Sequence, residues 1–138
     1  MKVRVRFTKL GKVRFTSHRD IARVWERVLR RADVPVAYSE GFSPRPKLSF
    51  GLALPTGGES LAEYLDVDVD EGRPAPDLDR LPEQLSPLLP EGMEVPALTV
   101  LERGADSLQH AVVACTWRIE VPGVAPADLA LAAERALA

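Results

Sequence analysis

Lys2-Val3-Arg4-Val5-Arg6-Phe7-Thr8 alternates basic and apolar residues, and Leu65-Asp66-Val67-Asp68-Val69-Asp70 repeats the pattern with acids in place of bases. A period of two places Val3, Val5 and Phe7 on one face of a strand and Lys2, Arg4 and Arg6 on the other. The acidic run divides in the same way. Opposite charges facing each other across antiparallel strands contribute roughly 0.2–1 kcal/mol per pair, whereas like charges would repel. The two runs are therefore expected to be neighbours in one sheet, with the basic row beside Asp66, Asp68 and Asp70 on a face that carries no helix.

Between these runs the chain supplies a helix and a further strand. Gly11 permits a turn, after which Val13 to Phe15 are expected to resume extension. Ser17-His18-Arg19-Asp20 has the spacing of a capping box, in which the Ser17 hydroxyl and the Asp20 carboxylate each satisfy a first-turn N–H. Ile21, Val24, Trp25, Val28, Leu29 and Ala32 follow at helical spacing, ending before Pro35. Lys47 to Leu54 alternates Leu48, Phe50, Leu52 and Leu54 with Ser49, Gly51 and Ala53, which predicts a strand with one bare face open to a close partner. Pro55 to Gly58 is the turn of a hairpin whose return strand runs over 61–70.

After a linker at 72–76, Leu78, Leu81, Leu85 and Leu88 suggest a second helix interrupted by Pro82 and Pro87, and 93–101 suggests a fourth strand. The order strand, helix, strand, strand, helix, strand is that of an α+β, ferredoxin-like βαββαβ sandwich with an antiparallel sheet. This domain is assigned to residues 1–104. Residues 105–138 form a C-terminal extension, with a fifth strand over Cys115 to Val121 and a helix from Pro126 or Ala127. It has the look of a second unit cut short, with no return strand to complete it.

The formal net charge of −2 hides a division. Residues 1–50 carry 13 Lys/Arg against 4 Asp/Glu, net +9, and residues 51–138 carry 5 against 16, net −11. Such a split fits either a nucleic-acid-facing half or two halves that neutralise each other. The single Cys115 excludes a disulfide framework and a multi-cysteine metal or iron–sulfur site; its apolar neighbours predict a packed, reduced thiol and a cytoplasmic protein. No apolar run approaches the roughly 18 residues of a membrane span. Asp66, Asp68 and Asp70 make a poor cation site because side chains along one strand diverge. No cofactor is implied.

Two segments carry the candidate chemistry. Arg19, Arg23 and Arg27 form an i, i+4 ladder continued by Arg30 and Arg31, and like charges so spaced cost roughly 0.2–0.5 kcal/mol per pair in an isolated helix. An anion alongside, whether nucleic-acid phosphate or the acids of residues 51–138, would relieve them. Lys12 and Arg14 extend the ladder. Tyr38-Ser39-Glu40-Gly41-Phe42-Ser43-Pro44-Arg45-Pro46-Lys47-Leu48 is a loop stiffened by two prolines that presents Arg45 and Lys47 at low entropic cost, with Tyr38 and Phe42 available to stack on an unpaired base. His18 could act as a general acid or base in RNA cleavage, with Tyr38, Ser39 or Lys47 as partner, or simply cap and pack. His110 has no visible partner.

Val13-Arg14-Phe15-Thr16-Ser17-His18-Arg19-Asp20, Leu29-Arg30-Arg31-Ala32 and Pro35 to Phe50 together resemble the radical SAM-linked protein family, and the similarity runs on through Pro55-Thr56-Gly57, Glu59-Ser60 and Glu63-Tyr64-Leu65. This is a domain of unknown function, fused to a radical SAM protein or encoded beside one. The resemblance implies a partner rather than a reaction. A radical SAM enzyme needs three closely spaced cysteines for its cluster, so that chemistry would come from another polypeptide. Family members usually continue past the point where this chain ends. More distantly, the early strand, capped helix and hairpin look like the RNA-binding domains of CRISPR repeat-processing proteins.

These features fit a non-catalytic accessory module that binds RNA, tRNA or rRNA, and works with a radical SAM partner. Arg14, His18, Arg19, Arg23, Arg27, Tyr38, Phe42, Arg45 and Lys47 are its expected contacts. The competing readings are a protein-docking module without nucleic acid, and a metal-independent endoribonuclease that uses His18.

Overall fold

The computed structural model describes all 138 residues. Strand β1 (Lys2–Lys9) leads through a turn into helix α1 (His18–Arg31); β2 (Leu48–Phe50) and β3 (Ser60–Asp68) follow, then α2 (Leu81–Leu85), β4 (Ala97–Leu101), α3 (Leu108–Ala111) and α4 (Pro126–Leu137). The four strands make one open antiparallel sheet in the order β2-β3-β1-β4. No helix is long and apolar enough to cross a membrane.

The alternation in β1 sets the core. Val3, Val5 and Phe7 are buried, and Leu65 and Val67 join them from β3. Helix α1 lays Ile21, Trp25, Val28 and Leu29 on this apolar face, with Trp25 completely buried and meeting Phe7 edge-on at a centroid distance of 5.1 Å. The indole Nε1 has no acceptor, a cost of about 1–3 kcal/mol that the buried area of the ring offsets. Ser17 caps the helix by accepting from the Asp20 amide at 3.2 Å. The reciprocal half of the expected box is missing, because the Asp20 carboxylate turns to Arg23 instead. Asp33 then takes φ 54° and ends the helix before Pro35.

The other face of the sheet carries the charges. Lys2 lies opposite Asp68 and Arg4 opposite Asp66. The Arg4 guanidinium donates to Asp66 from Nε at 2.7 Å and from Nη2 at 2.9 Å, while Lys2 and Asp68 are 3.8 Å apart. The hydrogen bond to Asp66 raises the Arg4 pKa above its ordinary value, outweighing desolvation, and the Asp66 and Tyr64 charges add to the effect. The expected third pair does not form. Arg6 faces Tyr64 and donates to Leu61 O at 3.2 Å, and β3 ends at Asp68, leaving Asp70 in a turn where it caps the Gly72 amide.

This face is not free of helix as expected. Arg4 Nη2 also donates to Asp106 O at 3.1 Å, and α3 brings Leu108 down until it is 2% exposed. A Cβ on Gly51 would lie 3.9 Å from Leu108 and 3.8 Å from the Tyr64 Cβ. The chain's own Leu108 thus covers the expected bare face at Gly51, while Ser49 and Ala53 remain exposed. Strand β2 is shorter than the predicted 47–54, keeping one further bond, Gly51 N to Tyr64 O at 3.0 Å, before Leu52 turns outward.

Three other expectations are corrected. Gly11–Phe15 is a turn of 3-10 helix, not extended chain: Gly11 has φ 67°, Val13 is buried, and Gly57 N donates to Arg14 O at 2.7 Å, so the β2–β3 hairpin closes on it. The second helix shrinks to α2 and a following 3-10 turn over Ser86–Leu88, because Pro82 and Pro87 leave no donor to carry it further. Cys115 to Val121 forms no strand. Its alternation is real, but it pairs with no strand, and Cys115, Trp117 and Ile119 are exposed, so the thiol is not packed.

Candidate nucleic-acid interface

On the outer side of α1, Arg19, Arg23, Arg27, Arg30 and Arg31 are all exposed. The apolar stripe is committed to the sheet, so helical geometry turns these residues to solvent. Only Arg23 has an ion-pair partner, Asp20 at 3.6 Å, with both side chains more than half exposed. No carboxylate stands within 4 Å of Arg19, Arg27, Arg30 or Arg31. The acids of residues 51–138 therefore do not neutralise the ladder. Two of them, Asp66 and Asp68, are spent on Arg4 and Lys2 inside the sheet.

The proline-stiffened loop is closed at its neck. Ser39 N donates to Arg45 O at 2.9 Å, the Arg45 amide returns a bond to Ser39 Oγ at 3.0 Å, and Lys47 N reaches Ala37 O at 2.8 Å. Tyr38 pairs with Pro46 as an isolated bridge, and Val36 pairs with Val69, which ties the loop base to the chain just beyond β3. The tip, residues 40–44, is exposed, with Gly41 at φ 125° and the Phe42 ring fully in solvent. Tyr38 and Pro46 share a groove with Glu26, Arg30, Asp33 and Arg73. The loop base thus lies against the C-terminal half of α1, with Arg45 and Lys47 flanking Pro46 there.

Arg14 sits elsewhere. It is half-buried, donates to Gly11 O at 3.0 Å and lies over the Phe15 ring at 4.4 Å, a cation–π contact that orients the guanidinium at the start of α1.

The match of residues 2–138 is to the family described as "Uncharacterized protein conserved in bacteria (DUF2344)". The chain belongs to that family. No curated protein matches it. In this DUF2344 protein the expected contacts fall into two groups at opposite ends of α1. His18 and Arg30 are 12 helical positions apart, about 18 Å at ~1.5 Å per residue. Tyr38, Arg45 and Lys47 gather at the Arg30 end, while Arg14 and His18 lie at the other.

His18 is consequently not beside Tyr38, one of the three residues named as a partner for catalysis. It stands edge-on to Phe50, centroids 5.0 Å apart, and shares a pocket with Lys9, Glu63 and Tyr64. Sequence reasoning missed these neighbours, although one signal was present: Lys9 follows Phe7 by two and so belongs to the buried face of β1.

Proposed function

We propose that this protein is a non-catalytic accessory module that binds RNA along the outer face of α1 and the loop at 38–47, and presents it to a radical SAM partner in the cytoplasm. The observation that carries the reading is the row of exposed arginines, of which only Arg23 has a carboxylate partner, continued at the Arg30 end by a loop holding Arg45 and Lys47. Such a row relieves its own repulsion by taking up phosphates and releasing their counterions. Phe42, wholly exposed on a neck-closed loop, offers a face for an unpaired base without an ordering cost. The strand order, read from the other edge as β4-β1-β3-β2, supports placing the sheet in the ferredoxin-like class. The radical SAM partner rests on the sequence resemblance; tRNA or rRNA is the RNA class proposed for the basic surface.

Fluorescence anisotropy with tRNA across a salt series tests the reading. Replacing Arg45 and Lys47 by Ala should weaken binding and reduce the slope of log K against log salt by about 1.4–1.8, or roughly 0.7–0.9 per lost phosphate contact. Phe42→Ala should cost about 1–3 kcal/mol with the slope unchanged, because stacking releases no counterion. If neither change alters RNA affinity yet both abolish co-purification of a radical SAM protein, the loop is a docking surface and Phe42 its apolar anchor.

A further inference from the structure

At the end of α1 remote from the loop, a narrow pocket opens under the His18 ring, walled by Phe7, Phe50 and Tyr64 and carrying Lys9 and Glu63. Lys9 occupies the last core-facing position of β1, after Val3, Val5 and Phe7, and is only 4% exposed. Its ammonium has a single acceptor, Thr16 O at 2.9 Å, and no carboxylate within 4 Å. A lysine has three hydrogens to place, and a cation withdrawn from water without a counter-charge is strongly disfavoured. What the protein does not supply is a counter-charge, which an anion entering the pocket would provide.

The surroundings say which kind. Thr16 immediately precedes the Ser17 cap, so the Lys9 ammonium sits beside the first turn of a 14-residue helix, where Ser17 occupies the Asp20 amide and the His18 and Arg19 amides have no acceptor in the protein. That end of the helix favours negative charge. His18, at the rim, adds a ring N–H. Glu63 faces Phe7 across the β1–β3 pair and lines the same pocket without reaching Lys9. A carboxylate there repels a fully ionised ligand but accepts a bond from a protonated oxygen.

We propose that this pocket binds one phosphate group, as inorganic phosphate or as the terminal phosphate of a nucleotide chain, with Lys9 as its buried cation, His18 as the rim donor and Glu63 as acceptor for a phosphate hydroxyl. The inorganic-phosphate arm of the test does not depend on RNA binding at the loop. Titration of the full chain with inorganic phosphate at constant ionic strength, followed by amide NMR, should give saturable shifts at Lys9, His18 and Arg19. Lys9→Met should weaken the affinity by about tenfold or more, and Lys9→Arg should recover part of it, as charge-assisted bonds require. Glu63→Gln should tighten it by roughly twofold or more once the repulsion is gone. Shifts that fail to saturate, or that persist with unchanged affinity in Lys9→Met, overturn the proposal. Should Lys9→Met not fold, unchanged affinity in both His18→Ala and Glu63→Gln overturns it equally. Comparing 5′-phosphorylated with 5′-hydroxyl oligonucleotides separates the sources: a preference for the phosphorylated strand that is lost on removing Lys9 assigns an RNA end, whereas equal binding alongside intact phosphate affinity assigns the free ion.

Discussion

Removing Arg4 while leaving Asp66 in place should destabilise the protein far more than the reverse change. The Asp66 side chain is 3% exposed and receives both bonds from the Arg4 guanidinium, which is itself 16% exposed. Arg4→Met therefore leaves a carboxylate sealed in the sheet without its cation, a situation that costs about 3–5 kcal/mol. Asp66→Leu leaves a guanidinium that keeps its bond to Asp106 O and can swing its free edge to water, at about 1–3 kcal/mol. With both polar groups removed the double variant should return to within about 1–2 kcal/mol of the wild type, since a buried ion pair roughly balances its own desolvation. Urea unfolding followed by the fluorescence of the buried Trp25 measures all four corners of the cycle, and an unchanged m-value would show that the comparison is valid. The reasoning fails if the two single changes cost the same, or if the cycle is additive to within about 0.5 kcal/mol.

Two further outcomes are expected. Gly92 has φ 92°, and a Cβ there would stand 2.0 Å from Leu10 O, a backbone atom, so Gly92→Ala should lower stability by more than about 2 kcal/mol and loosen the Leu10 N to Gly92 O bond in hydrogen exchange. Leu108→Ala should cost about 2–5 kcal/mol in thermal unfolding because α3 buries this side chain against the sheet, and a loss under about 0.5 kcal/mol would refute that packing.

The sheet was legible where a local pattern had a matching partner elsewhere. The period in Lys2–Phe7 and the acids at Asp66 and Asp68 each specified a face, and their opposite signs specified which strands meet. The Ser17 cap and the stripe through Ile21, Trp25 and Leu29 placed α1 for the same local reasons. Cys115 to Val121 has as clean a period, yet makes no strand. Periodicity tells which side chains share a face; it does not tell whether another strand will be there to take the hydrogen bonds. Val13–Phe15 failed differently, since a three-residue window carries no period and the outcome was decided by the left-handed Gly11 and by the contact from Gly57. Of the site, the arginine ladder was readable from i, i+4 spacing alone. The surroundings of His18 were not, because Lys9, Phe50 and Glu63 come from three strands and meet only once the register of β1, β2 and β3 is set.

The closed neck of the 38–47 loop has a consequence for how this surface can vary. Because the paired backbone groups of Ala37, Ser39, Arg45 and Lys47 hold the two ends of the loop together, the residues from Glu40 to Pro44 are mechanically insulated from the sheet. Their identity contributes nothing to the core, so the tip can be exchanged, lengthened or decorated while the frame below it stays constant. Such a loop behaves like an interchangeable tool held in a fixed socket: five exposed residues can change without the chain having to rediscover the fold.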